Sequence, residues 1–144
     1  MKKSILPLVL LFVAFLSGKV SAQTVGASIE FNKEIHDYGT IKNGADGSCT
    51  FEFKNTGDSP LIISNAKGSC GCTVPEWPKE PIAPGASGVI KVNYDTMRTG
   101  EINKSVTITS NAVNSPDKIV YIKGIVQAPE TTQPTNDTVA PTNH

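Results

Sequence analysis

Arginine is almost absent from this chain: Arg98 is the only one. Lysine and that arginine supply thirteen positive charges against thirteen negative ones. Three of the positive charges, Lys2, Lys3 and Lys19, stand in the first residues, and setting them aside leaves ten against thirteen, a net of −3. Nucleic-acid binding needs clustered Lys and Arg to neutralise phosphates, so no nucleic-acid partner is expected. Catalytic signatures are missing too. There is no Gly-x-Ser-x-Gly elbow, no phosphate-cradling loop and no dinucleotide fingerprint. No long stretch has helical period, and beyond the first residues no segment is apolar enough to span a membrane.

The one long apolar run lies at the start. Ile5 to Leu16 is broken only by Pro7, Lys2 and Lys3 precede it, and Val20-Ser21-Ala22 places small residues before Gln23. This is the three-part pattern of a secretory signal peptide, assigned to residues 1–22. A membrane anchor is the competing reading, but the run is about twelve residues against the ~20 needed to cross a bilayer. No cysteine follows the run to carry a lipid. The expected address is exported, periplasmic or extracellular, with no membrane span after cleavage.

Residues 27–126 read as strands and turns. Cys49, Phe51 and Phe53 alternate with Thr50, Glu52 and Lys54; Ile90, Val92 and Tyr94 alternate with Lys91 and Asn93; Val106 and Ile108 alternate with Thr107 and Thr109. Period-two patterning marks half-buried strands. Leu61-Ile62-Ile63 and Ile119-Val120-Tyr121-Ile122 are continuous apolar runs, expected to be central or buried on both faces. Asn43-Gly44, Asn55-Thr56-Gly57-Asp58, Pro84-Gly85 and Thr99-Gly100 supply the turns. The expected fold class is all-β: an antiparallel immunoglobulin-like β-sandwich of about seven strands. A small closed barrel is the alternative. The Cys–Trp–Cys arrangement of antibody domains is missing, since Trp77 is expected in a proline-rich loop, Pro75-Glu76-Trp77-Pro78, and not on a strand between two cysteines. Residues 127–144 hold three prolines and five threonines with little apolar bulk, the composition of a disordered tail or a glycosylated stalk. Asn103-Lys104-Ser105 and Asn136-Asp137-Thr138 match the N-glycosylation pattern, a match that arises often by chance.

Cys49, Cys70 and Cys72 are the only cysteines. Cys49 shares the face of Phe51 and Phe53 and reads as a small buried hydrophobe. Cys70-Gly71-Cys72 leaves three readings open. It is a disulfide candidate, because a tripeptide reaches the ~4.4–6.8 Å Cα separation a bridge needs, and a strained ring would be easily reduced. Its two thiolates could hold a soft metal, Cu(I) or Zn, with His36 or Cys49 as the additional ligands available. The structural reading is a tight turn, or a bridge from Cys49 to Cys70 or Cys72.

His36-Asp37-Tyr38-Gly39 pairs an imidazole with a carboxylate, but consecutive strand residues point to opposite faces. Tyr38 is expected to pack and Gly39 to turn the chain. No catalytic or cofactor-binding residue is assigned.

Several strings resemble one family when taken in their order: His36-Asp37-Tyr38-Gly39-Thr40-Ile41, Phe51-Glu52-Phe53-Lys54-Asn55-Thr56-Gly57, Ser69-Cys70-Gly71-Cys72-Thr73, Ile82-Ala83-Pro84-Gly85 and Ile122-Lys123-Gly124. Over about Phe31 to Val126 the chain resembles the bacterial domain-of-unknown-function family 1573, common in Bacteroidetes and usually exported. The resemblance implies an immunoglobulin-like sandwich similar to the PapD, major-sperm-protein and ASPM-SPD-2-Hydin domains, and it implies no activity. Tyr38 stands where the family often has phenylalanine, and Cys49 is this chain's own addition.

The expected function is therefore that of a non-enzymatic exported module. It would bind an envelope or extracellular protein through a sheet edge or end loops, or serve as a structural envelope component. Trp77 is the candidate for a binding surface, with core packing as its competing role. The alternative is a thiol-redox or soft-metal (Cu or Zn) module centred on Cys70 and Cys72.

Overall fold

Phe51 and Phe53 sit in a strand, β3 (Ser48–Asn55), that buries every second residue. It pairs antiparallel with β6 (Ser87–Tyr94), placing Phe51 opposite Ile90 and Phe53 opposite Gly88. The missing side chain at Gly88 makes room for the Phe53 ring, which a Cβ there would strike. The structure, a computed structural model, describes residues 25–131. The expected leader at 1–22 and the tail from residue 132 onward lie outside the described residues.

Two four-stranded sheets face each other. One runs β1 (Ile29–Phe31), β3, β6, β5 (Thr73–Glu76); the other runs β2 (Ile35–Lys42), β8 (Asp117–Gln127), β7 (Gly100–Ser110), β4 (Ile63–Gly68). All named elements are strands, and among the described residues no helix is long and apolar enough to cross a membrane. The protein is thus an immunoglobulin-like β-sandwich, as the alternation predicts, and the closed-barrel alternative falls. The inward residues interdigitate: Phe51, Phe53, Ile90 and Val92 from the first sheet, Ile102, Val106, Ile108, Val120 and Ile122 from the second. Each contributes about 1.5–3 kcal/mol by leaving water.

Three details differ from the sequence reading. There are eight strands instead of about seven, because the first one splits: after β1 the chain crosses at residues 32–34 to the other sheet and continues as β2. That crossing brings β2 alongside β8 running the same way, so this one pair is parallel in a sandwich that is otherwise antiparallel. The continuous apolar runs are not buried on both faces. Leu61 and Ile63 are buried but Ile62 is 46% exposed, and the run leads into β4 at the sheet edge. Central β8 likewise buries Val120 and Ile122 while Ile119 and Tyr121 face out, because no further layer covers that side of the sheet.

Asn55 ties the turns together. Its amide is fully buried; Oδ1 accepts from the Ser28 and Gly57 N–H groups, and Nδ2 donates to the Ser59 and Ile82 carbonyls. Gly85, next to it in space, takes φ 78°, which its lack of a Cβ permits, and donates its N–H to the Asn55 carbonyl.

Candidate functional site

Cys70-Gly71-Cys72 forms the corner where the chain leaves one sheet for the other. β4 ends at Gly68 on the edge of the second sheet, and β5 begins at Thr73 on the edge of the first. Gly68 is obligatory there, since a Cβ would collide with the Thr73 carbonyl oxygen. The Thr73 N–H donates to the Cys70 carbonyl at 3.2 Å, closing the turn, and the Asp95 N–H donates to the Cys72 carbonyl at 2.9 Å, fastening that residue to the end of β6. The Cys70 and Cys72 sulfurs are joined, with Cα atoms 5.2 Å apart. The Thr73 hydroxyl lies 3.7 Å from each sulfur. Cys72 is buried and Cys70 half-buried beside an open groove lined by Lys67, Ser69, Gly71, Thr73 and Pro75.

His36 and Cys49 do not join this corner. Among the described residues no three His, Cys, Asp or Glu side chains gather as a metal site. Cys49 is free and buried. Its register runs Cys49 opposite Val92, and Val92 opposite Pro75. A whole strand therefore separates it from β5, about 9.6 Å at ~4.8 Å per strand, beyond the ~7 Å limit for a bridge. The bridge from Cys49 to Cys70 or Cys72 is thereby excluded. Burial pushes the Cys49 thiol above its ordinary value and pushes the Tyr38 phenol up as well. Tyr38 packs against the core and donates its hydroxyl to the Gly47 carbonyl at 2.6 Å.

His36 and Asp37 point to opposite sides of β2, as their adjacency predicts. The His36 ring meets Tyr38 edge-on at 4.6 Å, and burial, aided by Lys33, lowers its pKa. The Asp37 carboxylate accepts from the Gly39 N–H, which pulls its pKa down, and pairs with Lys123 at 3.5 Å. Gly39, at φ 63°, sits in a bulge between Asp37 and Thr40.

Trp77 directly follows β5, and Pro75 and Glu76 belong to that strand, not to a loop as the prolines suggest. Its ring packs partly buried on the core, with Lys79 Nζ 3.1 Å from the ring centroid. Its indole N–H is buried with no hydrogen-bond partner among the described residues.

The sheet edges are where the fold offers main-chain groups to another molecule, and three are obstructed at particular residues. The Ile29 N–H and carbonyl at the edge of β1 are both taken by the Asn114 side chain, at 3.0 and 2.8 Å. On β5 the outward positions are Thr73, whose N–H is committed to Cys70, and Pro75, which has none. On β2 the bulge and the Asp37 charge interrupt the edge. The fourth edge is open. The Ser69 N–H donates to the Ser105 carbonyl, so by antiparallel alternation the odd-numbered residues of β7 face the β4 side. β4 departs at the Cys-Gly-Cys corner, and Glu101 and Asn103, both exposed, then turn main-chain groups to the vacated side with no partner strand among the described residues. Nothing in the sequence around these two residues marks them, because openness at an edge depends on where a neighbouring strand stops.

The family described as "Protein of unknown function (DUF1573)" matches residues 29–126. No curated protein matches the sequence. Among solved structures the chain is similar to a protein of unknown function from Porphyromonas gingivalis W83, with TM-score 0.63 and 18% identity over 74% of this chain and 51% of that one. It is similar also to the ASH / PapD-like domain 7 of human CEP192, with TM-score 0.57 and 11% identity over 80% of this chain and 97% of that one. A third is the secreted serine protease VesC from Vibrio cholerae, with TM-score 0.53 and 14% identity over 69% of this chain and 23% of that one. The chain thus spans about half the length of the Porphyromonas gingivalis protein. Likenesses at these identities speak to the fold alone.

Proposed function

This chain belongs to the DUF1573 family, and on that premise we propose that it is an exported, non-enzymatic β-sandwich that binds another protein through a sheet edge. The observation that carries the reading is the open stretch of β7 at Glu101 and Asn103, beyond the end of β4, while the Ile29 groups of β1 are taken by Asn114 and β5 and β2 are blocked by Pro75 and a bulge. An extended segment of a partner laid antiparallel there would satisfy those groups, and main-chain pairing of this kind supplies affinity while alternate side chains supply specificity. Export, to the periplasm or beyond, rests on the leader pattern and makes an envelope or extracellular protein the partner class. The expected domain over residues 27–126, closed by Gln127 at the end of β8, is the binding domain, and the segment after it is its tail.

The test is site-specific photo-crosslinking in cells, with the crosslinking side chain placed at Asn103 and, as control, at Thr50 on the outer face of β3. The reading expects an adduct with a discrete protein from position 103 and none from 50. Equal or absent adducts at both positions would remove it.

A further inference from the structure

Neither the core nor the open β7 edge requires two joined sulfurs at the sheet-to-sheet corner. We propose that Cys70 and Cys72 form a thiol–disulfide exchange site, in which Cys70 is the sulfur that an incoming thiol attacks and Cys72 is the leaving and re-closing sulfur. The partner class is a dithiol reductant, a protein or small molecule with two neighbouring thiols.

Two features set this direction. Access is unequal: Cys72 is 5% exposed within the core cluster, whereas Cys70 is half-buried and faces the groove. A Cβ built on Gly71 meets nothing within 4 Å, so the approach over the ring is clear. Anchoring is unequal as well. Cys72 is held through its carbonyl by Asp95, the residue that follows β6, and it is followed directly by β5, so its sulfur keeps its place when the bond opens. The Thr73 hydroxyl, 3.7 Å from both sulfurs, can donate a hydrogen bond to whichever one carries the negative charge. Ring size adds to this. A bridge closing over a single intervening residue restricts the unfolded chain far less than a long loop does, so folding does little to hold it shut. Cys49, buried a full strand away and free, takes no part.

A thiolate of the partner attacks Cys70 Sγ; the Cys70–Cys72 bond breaks, its electron pair leaves on Cys72 Sγ, and Cys72 takes up a proton. A mixed disulfide now joins Cys70 to the partner. The partner's second thiolate attacks its own sulfur in that bond and releases Cys70 as a thiolate, which is protonated. Two electrons and two protons pass to this chain, and the partner leaves as a disulfide. The reverse sequence re-closes the ring.

The experiment equilibrates the folded full chain in dithiothreitol redox buffers without denaturant, alkylates with iodoacetamide and counts adducts by mass. The site predicts two adducts appearing together, mapped to Cys70 and Cys72, while Cys49 stays unmodified and the strand signal in circular dichroism is kept. With limiting iodoacetamide on the reduced protein, Cys70 should label roughly tenfold or more faster than Cys72, following thiolate access. Oxidised glutathione should likewise add to Cys70 in the Cys72→Ser variant and not to Cys72 in Cys70→Ser. Reduction that requires denaturant, or equal labelling of the two sulfurs in the wild-type chain, would overturn the proposal. The wild-type measurements stand even if a variant fails to fold.

Discussion

Asn55 holds four main-chain groups from three separate turns with one buried amide. Replacing it by alanine leaves buried donors and acceptors unpaired, each costing ~1–3 kcal/mol. Asn55→Ala should therefore lower the unfolding free energy by about 3 kcal/mol or more in urea titrations, and a loss below about 1 kcal/mol would show that water takes its place. The sequence places this residue at the start of a turn; the structure makes it the last residue of β3, with its amide buried, which no local pattern shows. Tyr38 and Cys49 carry a pH dependence. Burial comes first among the causes raising both, so in the folded state both stay neutral beyond their ordinary values of 10.0 and 9.0. A group with a raised folded pKa contributes stability that is complete below its unfolded value and lost as pH rises through the folded one. Thermal midpoints should therefore hold to about pH 9 and decline above it, more steeply past 10. In Tyr38→Phe the decline past pH 10 should be shallower. A midpoint that rises across that range would contradict the assignment.

At the scale of the strand, alternation made β3, β6 and β7 legible residue by residue, because each buries one face and wets the other. It could not say which strands lie at an edge. Leu61-Ile62-Ile63 looks central on hydrophobicity and is followed by an edge strand, and Pro75 looks like a loop residue and closes an edge. The open stretch of β7 gives a direct check on register. The main-chain groups of Asn103 face the vacated side, whereas those of Lys104 pair with Ile122 on β8. Asn103→Pro should cost no more than about 1 kcal/mol, while Lys104→Pro, which removes a ladder bond from a central pair, should cost about 3 kcal/mol. Calorimetry of the two variants compares them directly, and equal costs would show that β7 is rotated relative to this register.

For the whole molecule, every strand from Ile29 to Gln127 belongs to one sandwich with one continuous core. A chain cut to residues 25–131 should then unfold in a single transition within about 0.5 kcal/mol of the chain lacking only residues 1–22, since single-core domains of this size behave as two-state systems. A lower midpoint on removing the tail would show that residues beyond 131 contribute to folding. The protein recovered from the envelope or the medium should begin at Gln23 by intact mass.

The sequence alone determined the class of fold, the identity of most inward-facing residues, the turns, and the family, because those follow from local alternation, glycine and proline chemistry and the order of short strings. It also singled out Cys70-Gly71-Cys72. What it left open there was decided by tertiary structure: that the pair spans the corner between the two sheets, that Cys49 is one strand too far to join it, and that His36 lies elsewhere. The open edge at Glu101 and Asn103 is likewise a tertiary fact. Both depend on where a strand leaves its sheet, and that is set by packing between residues far apart in the chain, which no local pattern encodes.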